Sequence, residues 1–390
     1  MGGGASRAFN IAEGLSAADC DVTVLTAFPH YPNGNVPKKY RRKLIAVENE
    51  EKFKVIRTFV PPIASKGVAN RLLLFLSFAF SSLFALPLIR KINIVWAANP
   101  NIIAVFPSLV YKITNRGRIV QNVDDLWPEA LYDLGLDQRS FLGRLGEFIA
   151  KIAYKLSSGV TPISPGYLPI LLKKYGVERE FTFVVPAGVD LTKFKLMKKS
   201  SQGRDRFKVL YIGAFSRAYD FNQVLRAAGL LSCYSNVDFI IQGGGELANE
   251  LECRAKAAKL RNVQIINKIV SRDEVAEIMA GSDALLLPLN GIGSIETGIS
   301  SKLYEYQAAG KPILCCSSGQ PGQYILHTKS GLVTMPGDHK MLTGAVVSLI
   351  KNPRLAQELG SAGRKYVEEN MSIEKVGKLM KHVFEKIQSR

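Results

Sequence analysis

The sequence has few residues of the kinds that build metal sites or disulfide frameworks. It contains five cysteines and four histidines in 390 residues, and none of them lie at the spacing of a metal-ligand pair. Cys315 and Cys316 are neighbours in an apolar run, so we expect them to point to opposite faces of a buried strand. The absence of a disulfide pattern favours a reducing compartment. Met1 runs directly into glycines rather than into the charged and apolar regions of a signal peptide, so we expect a cytoplasmic protein. Because the cysteines and histidines lack ligand spacing, we expect no metal site.

Acidic residues are scarce relative to basic ones. The chain has 51 Lys and Arg against 33 Asp and Glu, a formal net charge of +18, and the excess is spread over both halves. A field of this sign attracts nucleic acid, an anionic membrane surface or phosphorylated substrates. The sequence has no arginine-rich arm, zinc finger or aromatic–basic RNA motif. We therefore expect phosphorylated substrates and an anionic membrane surface as partners, and no nucleic acid.

One segment, Leu72–Ile89, lacks charged residues over 18 positions and is bracketed by Arg71 and Arg90. This length is at the lower limit for spanning a bilayer, and its serines and Pro87 weaken that interpretation. A helix buried against a sheet is favoured, and a helix in the membrane interface is the alternative. The basic run Lys38–Lys43 is interpreted either as a solvated loop or as a contact with anionic lipid.

Short apolar runs alternate with helical patterns along the whole chain, which is typical of βαβ units and a parallel sheet. The polar stretch Lys193–Arg206 interrupts the alternation and is interpreted as a linker. We predict an α/β protein of two Rossmann-like, doubly wound domains that face each other across a cleft. Their predicted bounds are 1–188 and 189–370, followed by a helix, 371–390, that packs back on the N-terminal domain.

The strands predicted before this linker are Val22–Thr26, Val55–Phe59, Ile94–Ala97, Ile119–Val123, Gly159–Ile163 and Phe181–Val185. A Rossmann-type domain opens with a strand, a glycine-rich turn and a helix. Here the sequence begins at the turn, Gly2–Gly4, so the expected first strand is missing. We interpret this start as a truncation.

A glycine-rich loop leads into a predicted helix, Ser300–Ala309. The free N–H groups of its first turn, with the helix dipole behind them, form an anion site to which Lys302 adds a positive charge. Glu305 lies on the same face at i+3, where it can accept hydrogen bonds from ribose hydroxyls. A diphosphate and a diol together are what a sugar nucleotide offers. The alternative is a surface helix with an ordinary Lys–Glu pair.

The surroundings of this helix resemble a known signature. Glu305 and the following Gln307–Pro312, QAAGKP, resemble the second glutamate and the Ala-Met-Ala-x-Gly-x-Pro run of retaining GT-B glycosyltransferases of the family 4 type. Gly298 aligns with the first glycine of that motif. Further landmarks occur in family order over the whole chain, namely Tyr211–Gly213, Gln242–Glu246, Val263–Val270 and Phe183–Phe194.

The resemblance implies the GT-B fold and a set of site residues. The implied catalytic residues are Glu305, Lys302 and Glu296. The implied donor-binding residues are Gly213, Arg217, Gly243, Gly245, Lys268, Ile269, Thr297, Gly298, Ser300, Ser301, Lys302 and Glu305.

The chain departs from the family pattern at three positions. The first family glutamate falls at Thr297, and Glu296 stands one residue earlier. The Arg and Lys that contact the diphosphate in many members are replaced by Ala214 and Tyr219. We expect Arg217 and Lys302 to supply the positive charge instead, so that the contacts to the donor diphosphate are altered rather than lost.

The acceptor side is suggested by a second motif. Asp125, followed by Leu-Trp-Pro-Glu with Trp127 and Glu129, resembles a subfamily that builds cell-surface polysaccharides such as colanic acid. Its loops imply further acceptor contacts at Gly3, Gly4, Arg7 and His30. The alternatives are that Trp127 only packs a helix start and that His30 is a solvated loop residue.

Taken with the family, these residues imply transfer of a sugar, with retention, from a nucleotide-diphospho sugar to a lipid-linked or polysaccharide acceptor. A UDP-sugar is the expected donor, and no metal or other cofactor is expected. A nucleotide-sugar epimerase and a non-catalytic sugar-nucleotide-binding partner are the rival interpretations. A NAD-dependent dehydrogenase would require a strand before the Gly2–Gly4 turn, which the sequence does not have.

Overall fold

The computed structural model describes residues 3–30, 34–64, 67–89, 92–98, 102–133, 135–194, 206–232, 234 and 236–389. The chain divides into two compact units, Met1–Ala187 together with Ile373–Arg390, and Gly188–Ser372. Most of the predicted linker and Cys233 lie outside the described residues.

The described residues alternate between strands and helices, as the sequence predicts. The strands are β1 Thr23–Ala27, β2 Ile45–Asn49, β3 Lys54–Thr58, β4 Ile94–Ala97, β5 Arg118–Val123, β6 Gly159–Pro162, β7 Phe207–Ala214, β8 Val237–Gly244, β9 Val263–Asn267, β10 Ala284–Pro288, β11 Ile313–Cys316 and β12 Gly331–Thr334. The helices are α1 Gly3–Ala17, α2 Gly67–Leu83, α3 Val105–Asn115, α4 Glu129–Tyr132, α5 Phe141–Leu156, α6 Leu168–Lys173, α7 Phe221–Leu230, α8 Ala248–Ala257, α9 Arg272–Ala280, α10 Ser301–Ala308, α11 Gln320–Thr328, α12 His339–Lys351, α13 Pro353–Asn370 and α14 Ile373–Gln388.

The described part of the first unit contains two three-stranded sheets, in the orders β1-β3-β2 and β4-β5-β6. All neighbours are parallel except β2 and β3, which are antiparallel. The prediction of a strand at Phe181–Val185 is wrong. Phe183 and Val185 donate backbone hydrogen bonds to carbonyls of β6, but only Thr182 forms a bridge, to Val160, so this segment runs beside the sheet without completing a ladder.

Helix α14 packs against α1 within the first unit. Ile11 and Leu15 of α1 share an apolar core with Met380 and Val383 of α14. The helices approach backbone to backbone at two glycines, since a Cβ atom on Gly14 would come within 2.9 Å of Cα of Gly377. Such an approach brings the C-terminal helix into the first unit.

The second unit is built on one six-stranded parallel sheet, in the order β12-β11-β10-β7-β8-β9. This order confirms the predicted α/β class and its Rossmann-like, doubly wound sheet. The strands β7 and β10 are adjacent although they are not consecutive in the chain. The winding reverses between them, and in such sheets ligands bind beyond the carboxyl ends of the strands at this point.

Helix α2 covers most of the uncharged segment Leu72–Ile89. Its Leu74, Ser81 and Ser82 are buried, whereas Leu76 and Phe80 are exposed. The expectation of a buried helix therefore holds for one face of α2 only. Among the described residues, no helix has the length and apolar character needed to cross a membrane.

Candidate functional site

Glycines at the ends of β7 and β8 let several groups converge at the point where the winding reverses. Gly213 and Gly243 both have φ of +151°, in the region that side-chain-bearing residues rarely adopt. A Cβ atom on Gly243 would overlap the carbonyl oxygen of Gly213, and one on Gly213 would collide with the ammonium group of Lys302. Glycine at these predicted donor-site positions therefore makes room both for the neighbouring backbone and for Lys302.

Lys302 lies at the start of α10 and reaches back to the end of β7. Ser300 caps the helix, and its hydroxyl accepts a hydrogen bond of 3.4 Å from the backbone N–H of Lys302. The Lys302 ammonium donates to the hydroxyls of Tyr219, at 2.9 Å, and Tyr211, at 3.2 Å. It also lies 4.4 Å and 4.8 Å from the centres of the two rings, within range of cation–π attraction. Burial raises the pKa of Tyr211 well above its ordinary value, so this partner stays a neutral phenol.

Glu305 stands one turn further along α10 and pairs with a residue that the predicted site did not include. Its carboxylate lies 3.7 Å from the guanidinium of Arg272, the first residue of α9. Burial holds the pKa of Glu305 above its ordinary value, and the positive charges of Arg272 and Lys302 offset part of that rise. The Ser271 helix cap places Arg272 in the first turn of α9, but such a cap does not indicate the partner of Arg272.

Glu296, the other candidate catalytic carboxylate, is bound to the start of α11. Its Oε2 atom accepts hydrogen bonds from the Ser317 hydroxyl, at 2.7 Å, and from the backbone N–H of Gly319. The Oε1 atom is buried and has no hydrogen-bond partner among the described residues. The neighbouring Thr297 donates its hydroxyl to the carbonyl of Ser294 at 2.7 Å. The Glu296 carboxylate therefore accepts hydrogen bonds from the residues that lead into the N-terminus of α11.

Three further predicted donor residues, Arg217, Lys268 and Ile269, lie in loops at the same edge of the sheet. Arg217 is exposed, and its carbonyl accepts a hydrogen bond of 2.5 Å from the side chain of Asn290, which joins the loop after β7 to the loop after β10. Lys268 and Ile269 follow β9 and are both exposed. A Cβ atom on Gly244 would lie 3.1 Å from the Ile269 side chain, so Ile269 flanks the end of β8.

Arg7 and Glu129, two of the predicted acceptor residues in the first unit, are tied to neighbouring protein groups. Arg7 is buried and donates to the Asn122 side chain and the Val185 carbonyl, both at 2.5 Å, and to Asp124. Glu129 accepts from the ammonium of Lys174 and the hydroxyl of Tyr175, both at 2.8 Å. These contacts support a structural role for both side chains.

The other predicted acceptor residues are at or near the surface, or in the first turn of α1. Asp125 is exposed, and Trp127 is half-buried with its ring edge-on to Phe75 at 6.1 Å. The Nδ1 atom of His30 lies 2.8 Å from the carbonyl of Phe28. Gly3 and Gly4 open α1. Among the described residues, no three His, Cys, Asp or Glu side chains are grouped to hold a metal ion.

Two family models match the sequence in succession. The model described as Glycosyltransferase Family 4 matches residues 1–193. The model described as Glycosyl transferases group 1 matches residues 192–366, which include every group around Lys302 and Glu305 described above. Together the two models account for nearly the whole chain.

Individual curated proteins and solved structures are also similar to this chain in sequence or in fold. The sequence is 29% identical over 213 residues to the D-rhamnosyltransferase WbpZ of Pseudomonas aeruginosa, and the match covers 52% of each protein, so the chain spans about half the length of this relative. In fold it is similar to the sucrose-phosphate synthase of Thermosynechococcus elongatus, with a TM-score of 0.76, 16% identity and coverage of 97% of this chain and 92% of that one. It is also similar to Anabaena Alr3699/HepE in complex with UDP, with a TM-score of 0.68, 14% identity and coverage of 93% and 99%.

Proposed function

Because the chain belongs to the group 1 glycosyltransferases with a family 4 N-terminal region, we propose that it transfers a sugar from a nucleotide-diphospho sugar to a lipid-linked or polysaccharide acceptor. The donor is a UDP-sugar, the anomeric configuration is retained, and the product belongs to a cell-surface polysaccharide. The enzyme acts at the cytoplasmic face of the membrane, to which it binds peripherally. The observation that carries this proposal is the Lys302 ammonium, held at the end of β7 where the winding of the sheet reverses.

The chemistry of the donor explains why a cation is needed there. When the anomeric bond breaks, the sugar becomes oxocarbenium-like and negative charge develops on the departing nucleoside diphosphate. Lys302 and the N-terminal end of the α10 dipole are fixed in advance near that charge, so they stabilise it without reorganising. A charge at a helix end contributes about 0.3–1 kcal/mol, rising to ~2 kcal/mol when partly buried, so the helix dipole needs the help of the lysine.

Glu305 is proposed to hold the ribose of the donor. As a carboxylate it accepts hydrogen bonds from both hydroxyls of a diol, and it does so only when it is ionised. The nearby guanidinium of Arg272, 3.7 Å away, favours that ionised form against the effect of burial. Arg272 therefore acts as a positioning residue for the proposed ribose contact.

Retention is proposed to proceed by attack of the acceptor on the same face from which the diphosphate leaves. Glu296 is held by Ser317 and Gly319, which supports an orienting role for its carboxylate rather than that of a free nucleophile.

No metal ion takes part in the proposed reaction, since Lys302 and the helix start supply the positive charge. The name of the matched rhamnosyltransferase supports sugar transfer. The UDP complex of the protein of similar fold makes a UDP-sugar the first donor to test.

Nucleotide binding and donor hydrolysis test the proposal directly. We expect UDP to raise the melting temperature of the purified chain more than GDP or ADP does. A labelled UDP-sugar should be hydrolysed slowly, at a rate that EDTA does not change. Lys302→Met should abolish both effects. Lys340→Met, which removes an exposed lysine of α12, is the matched control and should leave them unchanged.

The possible failures are distinguishable. Nucleotide binding with no turnover towards any donor would favour a non-catalytic binding partner. Turnover that survives Lys302→Met would show that the chemistry is located elsewhere. If a sugar is transferred, the anomeric configuration of the product, measured by NMR, decides whether the reaction retains or inverts.

A further inference from the structure

Three helices of the first unit leave rows of large apolar side chains in contact with water. On α2 the row contains Leu72, Leu76 and Phe80, spaced four residues apart, and 67% of Phe80 is exposed. Residues at this spacing share one face of a helix. The opposite face of α2, with Leu74 and Ser82, is buried in the unit. Helix α2 therefore has a packed face and an unpartnered apolar face.

Helices α3 and α5 repeat this arrangement. On α3, Phe106, Val110 and Ile113 follow i, i+4, i+7 spacing, and 77% of Ile113 is exposed. On α5, Phe141 and Phe148 stand two turns apart and are 79% and 62% exposed. An apolar side chain exposed singly is ordinary, whereas exposed rows on several helices mark an interaction surface.

The three helices are neighbours, so their rows belong to one region of the unit. The hydroxyl of Tyr111 on α3 donates a hydrogen bond of 2.6 Å to the carbonyl of Ser82 on α2. Helix α5 contacts the short turn Ile102–Ala104, which leads directly into α3. We call the exposed rows of α2, α3 and α5 the apolar helix surface.

The charges on these helices are almost all positive. Helices α2 and α3 contain no Asp or Glu, and they carry Arg71 and Lys112. Helix α5 carries Arg144, Lys151 and Lys155 and a single acidic residue, Glu147. That carboxylate lies 2.6 Å from the ammonium of Lys174, which also pairs with Glu129, so the lysine offsets part of its charge. A surface that is apolar and flanked by cations is complementary to the anionic headgroups and the upper acyl region of a lipid bilayer.

We propose that the apolar helix surface docks the first unit on an anionic membrane. Phe80, Ile113 and Phe148 enter the boundary between headgroups and acyl chains, and the lysines and arginines of the same helices contact lipid phosphates. Burying phenyl and aliphatic groups removes them from water, and the basic residues select anionic over zwitterionic lipid. This inference rests on the proposed action at a membrane, but it does not depend on the transfer reaction.

Vesicle sedimentation of the full chain tests the docking surface. Vesicles of phosphatidylcholine with phosphatidylglycerol should carry the protein into the pellet, and vesicles of phosphatidylcholine alone should not. The double variant Phe80→Ser with Phe148→Ser should bind at least about tenfold more weakly. Leu326→Ser, which removes a similarly exposed apolar side chain from α11 of the second unit, is the control and should bind like the wild type.

The charge requirement and the depth of insertion are measured separately. Replacing Lys112 and Arg144 by Gln should weaken binding by about fivefold per charge, whereas Lys340→Gln should have no effect. A tryptophan at position 148, introduced as Phe148→Trp, should be quenched by brominated lipid when vesicles are added. This second readout does not depend on a loss of binding, so it also guards against a variant that has simply misfolded.

Each failure has its own meaning. If the wild type stays in solution with both kinds of vesicle, membrane action and this surface are both wrong, while nucleotide binding still tests the transfer reaction on its own. If the double variant binds phosphatidylglycerol vesicles as tightly as the wild type, membrane action stands and this surface is not the docking site. If the double variant instead abolishes a wild-type dimer and leaves vesicle binding intact, the surface joins protein chains and the inference is overturned.

Discussion

The ammonium of Lys302 lies 2.9 Å from the hydroxyl of Tyr219 and 4.4 Å from the centre of its ring. Tyr219 occupies a position where, by resemblance, many related enzymes have a lysine. A second cation there would repel Lys302, whereas a phenol attracts it through both its hydroxyl and its ring. The site therefore holds one lysine between two phenol side chains, those of Tyr219 and Tyr211, instead of two cations side by side.

Tyr219→Phe removes one hydrogen bond to the Lys302 ammonium and keeps the ring. Because hydrogen bonds to charged groups contribute about 1.5–3 kcal/mol and water replaces part of the loss, we expect UDP affinity to fall by roughly three- to tenfold. Tyr219→Ala also removes the cation–π contact and should cost about another 0.5–2 kcal/mol of binding free energy. Isothermal titration of the variants with UDP measures both effects. Tyr234→Ala, at an exposed tyrosine of the same unit, should bind like the wild type, and equal losses at the two positions would contradict the assigned role.

Gly213→Ala tests the space that Lys302 occupies at the end of β7. The added methyl group would collide with the ammonium and would sit at φ of +151°, so we expect UDP binding to be lost and stability to fall by about 1–3 kcal/mol. Gly243→Ala should be more destabilising still, because its methyl group meets the backbone of Gly213 rather than a flexible side chain. Urea unfolding and UDP titration separate the two effects. Gly229→Ala, in α7 where a Cβ atom meets only an ordinary contact, should preserve both stability and binding.

Glu305 should make nucleotide binding depend on pH. Burial raises its pKa, so it takes up a proton at a higher pH than an ordinary glutamate does, and UDP affinity should fall as the pH decreases through that raised value. The sign for stability is opposite: an acid whose pKa is raised by folding favours the folded state at low pH and loses that contribution as the pH increases. Glu305→Gln should remove both dependences. Arg272→Met should move the midpoint of the binding profile to higher pH, because it removes a positive charge that lowers the pKa of Glu305.

Measuring the UDP affinity at a series of pH values from acidic to neutral gives this pH profile. Asp273→Asn changes an exposed carboxylate next to Arg272 and serves as the matched control, with an expected profile like that of the wild type. A midpoint that stays in place in Arg272→Met would show that Arg272 does not influence the proton on Glu305.

Cys315 and Cys316 should resist alkylation in the native protein. Both are buried in β11, and burial raises the pKa of the Cys316 thiol to about 12 and that of Cys315 well above its ordinary value. Only the thiolate reacts, so iodoacetamide should label the exposed Cys253 first. Peptide mapping by mass spectrometry measures the order, with labelling in urea as the control. Native labelling of β11 ahead of Cys253 would show that this strand opens easily.

Much of the fold could be predicted from periodicity, and the failures have physical causes. The buried parallel strands of the second unit are short apolar runs between helical patterns, which is the alternation that the sequence shows. Strand β2 was missed because it is a partly exposed edge strand that carries a charged residue, Glu48, whose carboxylate bonds across to Arg57 of β3 at 2.6 Å. Segment Phe181–Val185 has the composition of a strand, but a ladder forms only where the folded backbone runs alongside β6 over several residues. Here a single bridge, between Thr182 and Val160, is formed.

The sequence by itself determined the alternating α/β elements, the capped start of α10 and the placement of Glu305 one turn after Lys302, because these depend on contacts between residues close in the chain. Only the tertiary structure decided which groups meet there. Lys302 meets Tyr219, Glu305 meets Arg272, and Glu296 meets Ser317 because β7 and β10 lie side by side and β11 follows β10 in the sheet. The order of strands is set by how the whole unit buries its apolar faces, and no local pattern of residues encodes it.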